Sequence, residues 1–63
     1  MTREEWELRC TRRFQDVGGL DAGEAAAFAK NCAQSQIEDV GDDVSEWEEP
    51  EAAADTDISC WEE

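Results

Sequence analysis

Two capped helix starts, each closed by glycine, constrain this chain more than any other feature. Thr2-Arg3-Glu4-Glu5 is a capping box. In it the Thr2 hydroxyl accepts the Glu5 amide and the Glu5 carboxylate reaches back. Trp6, Cys10, Phe14 and Val17 then recur at helical spacing as one apolar stripe, and Gly18-Gly19 stops the helix. Glu5 and Arg9 are an i,i+4 pair in the favourable orientation, and Arg9, Arg12 and Arg13 lie toward the end where the helix dipole favours cations.

Asp21-Ala22-Gly23-Glu24 opens a second helix in the same way, with Leu20 placed as a hydrophobic staple. Ala25, Ala26, Phe28, Ala29, Cys32, Ala33, Ile37 and Val40 cover a broad apolar arc, and Gly41 ends it. Gln36 falls inside that arc and needs a hydrogen-bond partner if buried. Beyond Gly41, Asp42 or Asp43 caps a short helix that Pro50 closes. Pro50 also suits the first turn of a further helix through Glu51-Ala52-Ala53-Ala54-Asp55. Residues Thr56 to Glu63 are ambiguous, with Ile58 and Trp61 spaced to pack back. No strand and no internal repeat is evident. The expected fold is all-α: an antiparallel two-helix hairpin over 1–41, then one or two short acidic helices over 42–63, in a small single domain with that last segment partly mobile.

Charge is divided along the same line. Residues 1–30 carry six acids and five bases. Lys30 is the last base, and residues 31–63 carry twelve acids, so nearly all of the net charge of −13 lies in the second half. Such a field repels nucleic acid and anionic lipid and attracts a basic surface. At 63 residues the chain forms one domain at most. It buries about 60% of its unfolded surface, with a stability on the order of 3–9 kcal/mol.

The chemistry that remains is narrow. There is no His and no Tyr, so the commonest general base is missing, and Ser35, Ser45 and Ser59 have no base partner. Cys10 and Cys32 sit on the apolar faces as small buried thiols, and Cys60 among carboxylates is a poor nucleophile. Three scattered thiols do not make a zinc site, and no cofactor is called for. The acids of Glu38-Asp39-Val40-Gly41-Asp42-Asp43 do not follow EF-hand spacing. An odd cysteine count without CxxC, and no signal peptide or apolar run of membrane-spanning length, point to the cytoplasm. The chain is read as non-enzymatic.

The acidic half is either a solubilising surface or a stand-in for nucleic-acid phosphate. A fully helical 31–63 spans about 50 Å. That places a carboxylate every ~4 Å, against a phosphate about every 3.4 Å along one DNA strand. The candidate partner-binding residues are Glu38, Asp39, Asp42, Asp43, Glu46, Trp47, Glu48, Glu49 and Glu51. Trp47 and Trp61 either anchor the short segments to the hairpin or act as exposed hot spots inside an acidic rim.

With its short length, the helices Thr2–Val17 and Asp21–Val40, and the run Glu38 to Glu49, the chain resembles the small acidic DNA-mimicking anti-CRISPR proteins of bacteriophages, in particular those directed against type I surveillance complexes. The resemblance implies a monomeric, stoichiometric inhibitor in the host bacterial cytoplasm. Its acids would occupy the Lys/Arg site where a Cascade-type complex reads target DNA or its PAM. It would bind a basic nucleic-acid-binding protein, but no nucleic acid directly and no membrane. Arg9, Arg12 and Arg13 depart from a uniformly anionic mimic, and either face away from the partner or pair with Glu5 and Asp16. Competing readings are an acidic immunity protein or antitoxin against a basic nuclease, and an acidic–aromatic adaptor.

Overall fold

The computed structural model describes residues 1–61; Glu62 and Glu63, counted above in the acidic run, lie outside the described residues. The chain is all-α. Helix α1 spans Arg3–Asp16, α2 spans Ala22–Val40 and α3 spans Pro50–Ser59, with one 3-10 turn at Val44–Glu46 between the last two. No strand occurs among the described residues.

Both helix caps form, but only one arm of each capping box does: neither the Glu5 nor the Glu24 carboxylate bonds back to its cap amide. The Glu5 amide donates to Thr2 Oγ1 at 3.2 Å, and the Glu24 amide donates to Asp21 Oδ1 at 2.8 Å. Each satisfies a donor that the first helical turn leaves unpaired. Asp43 caps the 3-10 turn, accepting from both the amide and the hydroxyl of Ser45. Pro50 takes the first position of α3, where its missing N–H is no loss. Gly41 closes α2 with φ +95°, a conformation costly for any residue with a Cβ.

The topology is up, down, up. Trp6 bonds Glu48, Arg9 bonds Glu51 and Arg13 bonds Asp55, each pair 42 positions apart. A constant offset means that α1 and α3 run parallel, in register, with α2 antiparallel to both. Helix α1 packs against α2 and α3, whereas α2 and α3 touch only sparingly. The core consists of Trp6, Cys10 and Phe14 from α1, Ala25, Ala29 and Ala33 from α2, Ala53 and Ala54 from α3, and Trp47. Alanines on α2 and α3 let two large aromatic residues of α1 fill the space between them. Segment 42–61 is therefore an integral wall of the domain, since α3 covers the side of α1 that α2 leaves open.

Several local expectations are corrected. Val17 and Val40, assigned to the apolar faces, are 52% and 46% exposed, because each sits at a helix end beyond the reach of the facing helix. Arg9 does not pair with Glu5, nor Arg13 with Asp16. Glu51 and Asp55 on α3 lie closer to hand, and each offers both carboxylate oxygens to a guanidinium. The i,i+4 pair that does form on α1 is Arg3–Glu7, at 2.8 Å.

Candidate functional surface

The parallel arrangement of α1 and α3 gives the bundle two unlike ends. One end gathers the N-termini of α1 and α3, the C-terminus of α2 and the 41–49 loop. The other holds Phe14, Phe28 and Trp61, packed with ring centroids 5.2 to 5.7 Å apart, Trp61 stacked on Phe14 and Phe28 tilted against both.

The acidic end is built around a fixed loop. Trp47 Nε1 donates to the Gly41 carbonyl at 2.8 Å, closing the loop on itself. Trp6 Nε1 donates to the Glu48 carbonyl at 2.8 Å, and the Glu48 amide donates to Gln36 Oε1 at 3.0 Å. Gln36, flagged in sequence as a polar residue on an apolar arc, thus has its partner in the loop. Every polar side-chain atom fully buried among the described residues finds a hydrogen bond.

On this frame Glu38, Asp39, Asp42, Asp43, Glu46, Glu48 and Glu49 are all exposed. None of them belongs to an ion pair among the described residues; the three pairs found use Glu7, Glu51 and Asp55. The Ser45 hydroxyl and amide hold the Asp43 carboxyl below its usual range, so that charge persists into acid. Glu38 and Asp39 occupy the last turn of α2, which carries no base. A helix C-terminus is partially negative, so each carboxylate there is unfavourable by about 0.3–1 kcal/mol. These two acids stand where folding stability disfavours them.

Two residues of the sequence-derived site are reassigned. Trp47 is only 8% exposed and packs edge-on against Trp6, so its indole supports the surface from beneath and is not presented on it. Glu51 is engaged by Arg9 at 2.9 and 3.1 Å and fastens α3 to α1. Trp61, the other tryptophan in question, is 40% exposed and stacks on Phe14 at 5.7 Å, at the end remote from the acidic loop. The linear charge track is also corrected. Reversals at Gly41 and before Pro50 fold the acids into a cluster, on a domain whose longest extent is 29 Å.

The arginines lie along one side of α1. Arg9, Arg12 and Arg13 line a shallow recess of about 310 Å³ together with Asp16 and Glu51. Arg13 binds Asp55 through two bonds of 2.7 and 2.8 Å, which raises the guanidinium above its ordinary value and lowers Asp55 below its own.

The thiols, widely spaced in sequence, converge. Cys10 is fully buried, and the neighbouring Cys32 thiol, together with burial and the field of Asp57 and Glu51, pushes Cys10 far up. The same thiol pairing lowers Cys32, against burial and the charges of Asp57 and Glu48. Cys32 is half-buried and Cys60 exposed, both lining an open cleft of about 250 Å³ between α2 and α3. Sequence spacing gave no sign of this convergence, because the α1–α2 and α2–α3 contacts create it. Among the described residues no group of three or more Cys, Asp or Glu side chains is arranged to hold a metal ion. No helix among them is long and apolar enough to cross a membrane.

Fold and surface together define a class: a three-helix domain with one strongly acidic end and a neutral, arginine-buttressed flank. No protein-family model matches the chain, and neither does any curated protein sequence or solved structure.

Proposed function

We propose that this protein is a non-enzymatic inhibitor that presents carboxylates in place of nucleic-acid phosphates, in the manner of an anti-CRISPR protein acting on a type I surveillance complex. One observation carries the reading. Seven exposed carboxylates between Glu38 and Glu49 are unpaired among the described residues, two on the last turn of α2 and five on a loop pinned at both ends. A solubilising surface has no need of such fixation, nor of acids at the unfavourable end of α2. A rigid charge cluster releases counterions from a Lys/Arg groove as DNA does, and it loses little entropy on docking. The partner is a basic nucleic-acid-binding protein of the host cytoplasm, bound by one copy of the chain. Burial of Trp47 speaks against an adaptor in which both tryptophans reach out to the partner.

The test is affinity capture on a purified type I surveillance complex, followed by a target-DNA binding assay. The wild type is expected to bind, to lose affinity steeply between low and physiological salt, and to prevent DNA binding. A variant carrying Asp42→Lys, Asp43→Lys, Glu46→Lys and Glu48→Lys is expected to remain helical and lose inhibition. Full inhibition by that variant overturns phosphate mimicry. Failure of the wild type to bind the complex overturns the choice of partner.

A further inference from the structure

Helices α1 and α2 pack antiparallel, and their register can be followed layer by layer. Phe14 of α1 meets Phe28 of α2, with ring centroids 5.6 Å apart. One turn toward the acidic end, four residues back along α1 and four on along α2, stand Cys10 and Cys32. One turn further stand Trp6 and Gln36, which both bond the Glu48 peptide, at 2.8 and 3.0 Å. The two thiols are thus bracketed on either side by paired layers. Cys10 is fully buried in the core, and Cys32 packs on that core while lining the solvent-open cleft. Ala29 and Ala33, buried beside Cys32, let the helices approach closely. Packed helix axes lie about 8–10 Å apart with each Cα about 2.3 Å off axis, which brings facing Cα atoms within the ~4.4–6.8 Å that a disulfide spans.

We propose that Cys10 and Cys32 form a peroxide-sensitive dithiol, oxidised to an interhelical disulfide with Cys32 as the attacking sulfur. The Cys32 thiolate attacks one oxygen of hydrogen peroxide, the O–O bond breaks, and the departing hydroxide takes up a proton to become water. Cys10 then attacks the sulfenic acid on Cys32; its proton goes to the leaving hydroxyl, and a second water departs as the S–S bond forms. Two thiols lose two electrons and one peroxide gains them. The roles follow from access and charge. Of the two, only Cys32 meets solvent, and its pairing with Cys10 favours the thiolate that reacts. Cys10 is held protonated chiefly by that same neighbour, a hold that ends once Cys32 is oxidised. Hydrogen peroxide is neutral, so a net charge of −13 does not keep it out. Cys60 lines the same cleft, but it caps the end of α3, and α2 and α3 touch only sparingly. Nothing in this chemistry depends on what the acidic end binds.

The experiment treats the reduced protein with hydrogen peroxide and follows free thiols, mass and melting temperature. Lys30 is the last base, so trypsin leaves Cys32 and Cys60 on one peptide, and Cys60→Ser is therefore mapped beside the wild type. Both proteins are expected to lose two thiols and two hydrogens in mass, with the tryptic peptide Cys10-Thr11-Arg12 linked to residues 31–63. Closure of the loop is expected to raise the melting temperature by about 10 °C or more, reversed by dithiothreitol. Cys10→Ala is expected to stop at a sulfenic acid on Cys32, trapped by dimedone. Retention of both thiols in Cys60→Ser, or a link only between two copies, overturns the dithiol. A Cys32–Cys60 link in the wild type overturns the pairing. Dimedone labelling of Cys10 in Cys32→Ala, with none of Cys32 in Cys10→Ala, overturns the order of attack. An oxidised form that melts below the reduced one overturns the fit of the bond to the helix register.

Discussion

Trp6 and Trp47 meet edge to face, with ring centroids 5.2 Å apart and planes at 87°. That pair joins the first helix to the acidic loop, and each indole N–H is spent on a loop carbonyl, Glu48 for Trp6 and Gly41 for Trp47. The loop's position is thus written in two aromatic side chains and not in its own backbone propensity. Aromatic pairs of this geometry add about 0.5–1.5 kcal/mol beyond the area they bury.

Trp47→Ala is accordingly expected to remove about 3–5 kcal/mol, a large share of the stability of so small a domain. Trp47→Phe keeps most of the ring but leaves the Gly41 carbonyl without its donor, and is expected to lose about 1–3 kcal/mol. Urea unfolding followed by far-ultraviolet circular dichroism measures both. An alanine variant as stable as wild type would show that the loop holds itself.

Glu38 and Asp39 provide a test of the conflict between stability and surface charge. Replacing both with lysine puts cations at the negative end of the α2 dipole and relieves repulsion within a chain of net charge −13. The double variant is expected to be more stable by about 1–2 kcal/mol, with a raised melting temperature, most clearly at low salt. It is also expected to dock less well on a basic surface. A gain in stability without a loss of docking would remove these two positions from the functional surface.

The Arg13–Asp55 pair sets a pH dependence whose sign follows from its direction. Hydrogen bonds from Arg13 hold Asp55 below its ordinary value of 3.8. A carboxylate depressed in the folded state adds stability above its unfolded value and loses it as pH falls through the folded one. Asp55→Asn is therefore expected to melt slightly below wild type at neutral pH. The difference is expected to shrink to nothing as the solution is acidified below 3.8. The effect is small because both side chains are substantially exposed to solvent. Melting curves of the two proteins across the acid range decide it, and a difference that grows on acidification would refute the assignment.

At the opposite end, Gly18 lies beneath Trp61. A Cβ placed there would approach the Phe14 carbonyl oxygen to 2.6 Å and the Trp61 ring to 3.0 Å. Gly18→Ala is expected to lose about 1–3 kcal/mol. Part of that loss is expected to disappear in a Trp61→Ala background, giving a coupling of at least about 0.5 kcal/mol in a double-mutant cycle. Strict additivity would mean that the ring does not rest on the glycine.

Much of the fold was legible because its signals are local. Thr2, Asp21, Asp43 and Pro50 each act within a turn of their own position, so boundaries could be read from neighbours in sequence. The pairing of α1 with α3 was not legible, because nothing near Arg9 or Arg13 refers to residues 42 positions away. The nearest acids in sequence, Glu5 and Asp16, were the natural expectation, and parallel packing overrode them. Trp47 posed the same difficulty. Its flanking glutamates suggest exposure, but a loop of charged residues needs one apolar anchor, and only the fold shows which residue serves. The acidic surface was legible as composition, whereas its gathering at one end depends on the turns at Gly41 and Pro50.

The offset between the first helix and the last has a consequence for how the chain is made. During synthesis α1 and α2 emerge early and can meet as a hairpin, but Trp6 and Phe14 then have one wall missing. The groups that complete their surroundings follow α2: Trp47 and Glu48 first, then Ala53, Ala54 and Trp61 only after Pro50. Closure waits on contacts 42 positions apart, and such distant contacts form late. A chain cut short before Pro50 is thus not a smaller domain but an unfinished one, with its aromatic core turned outward.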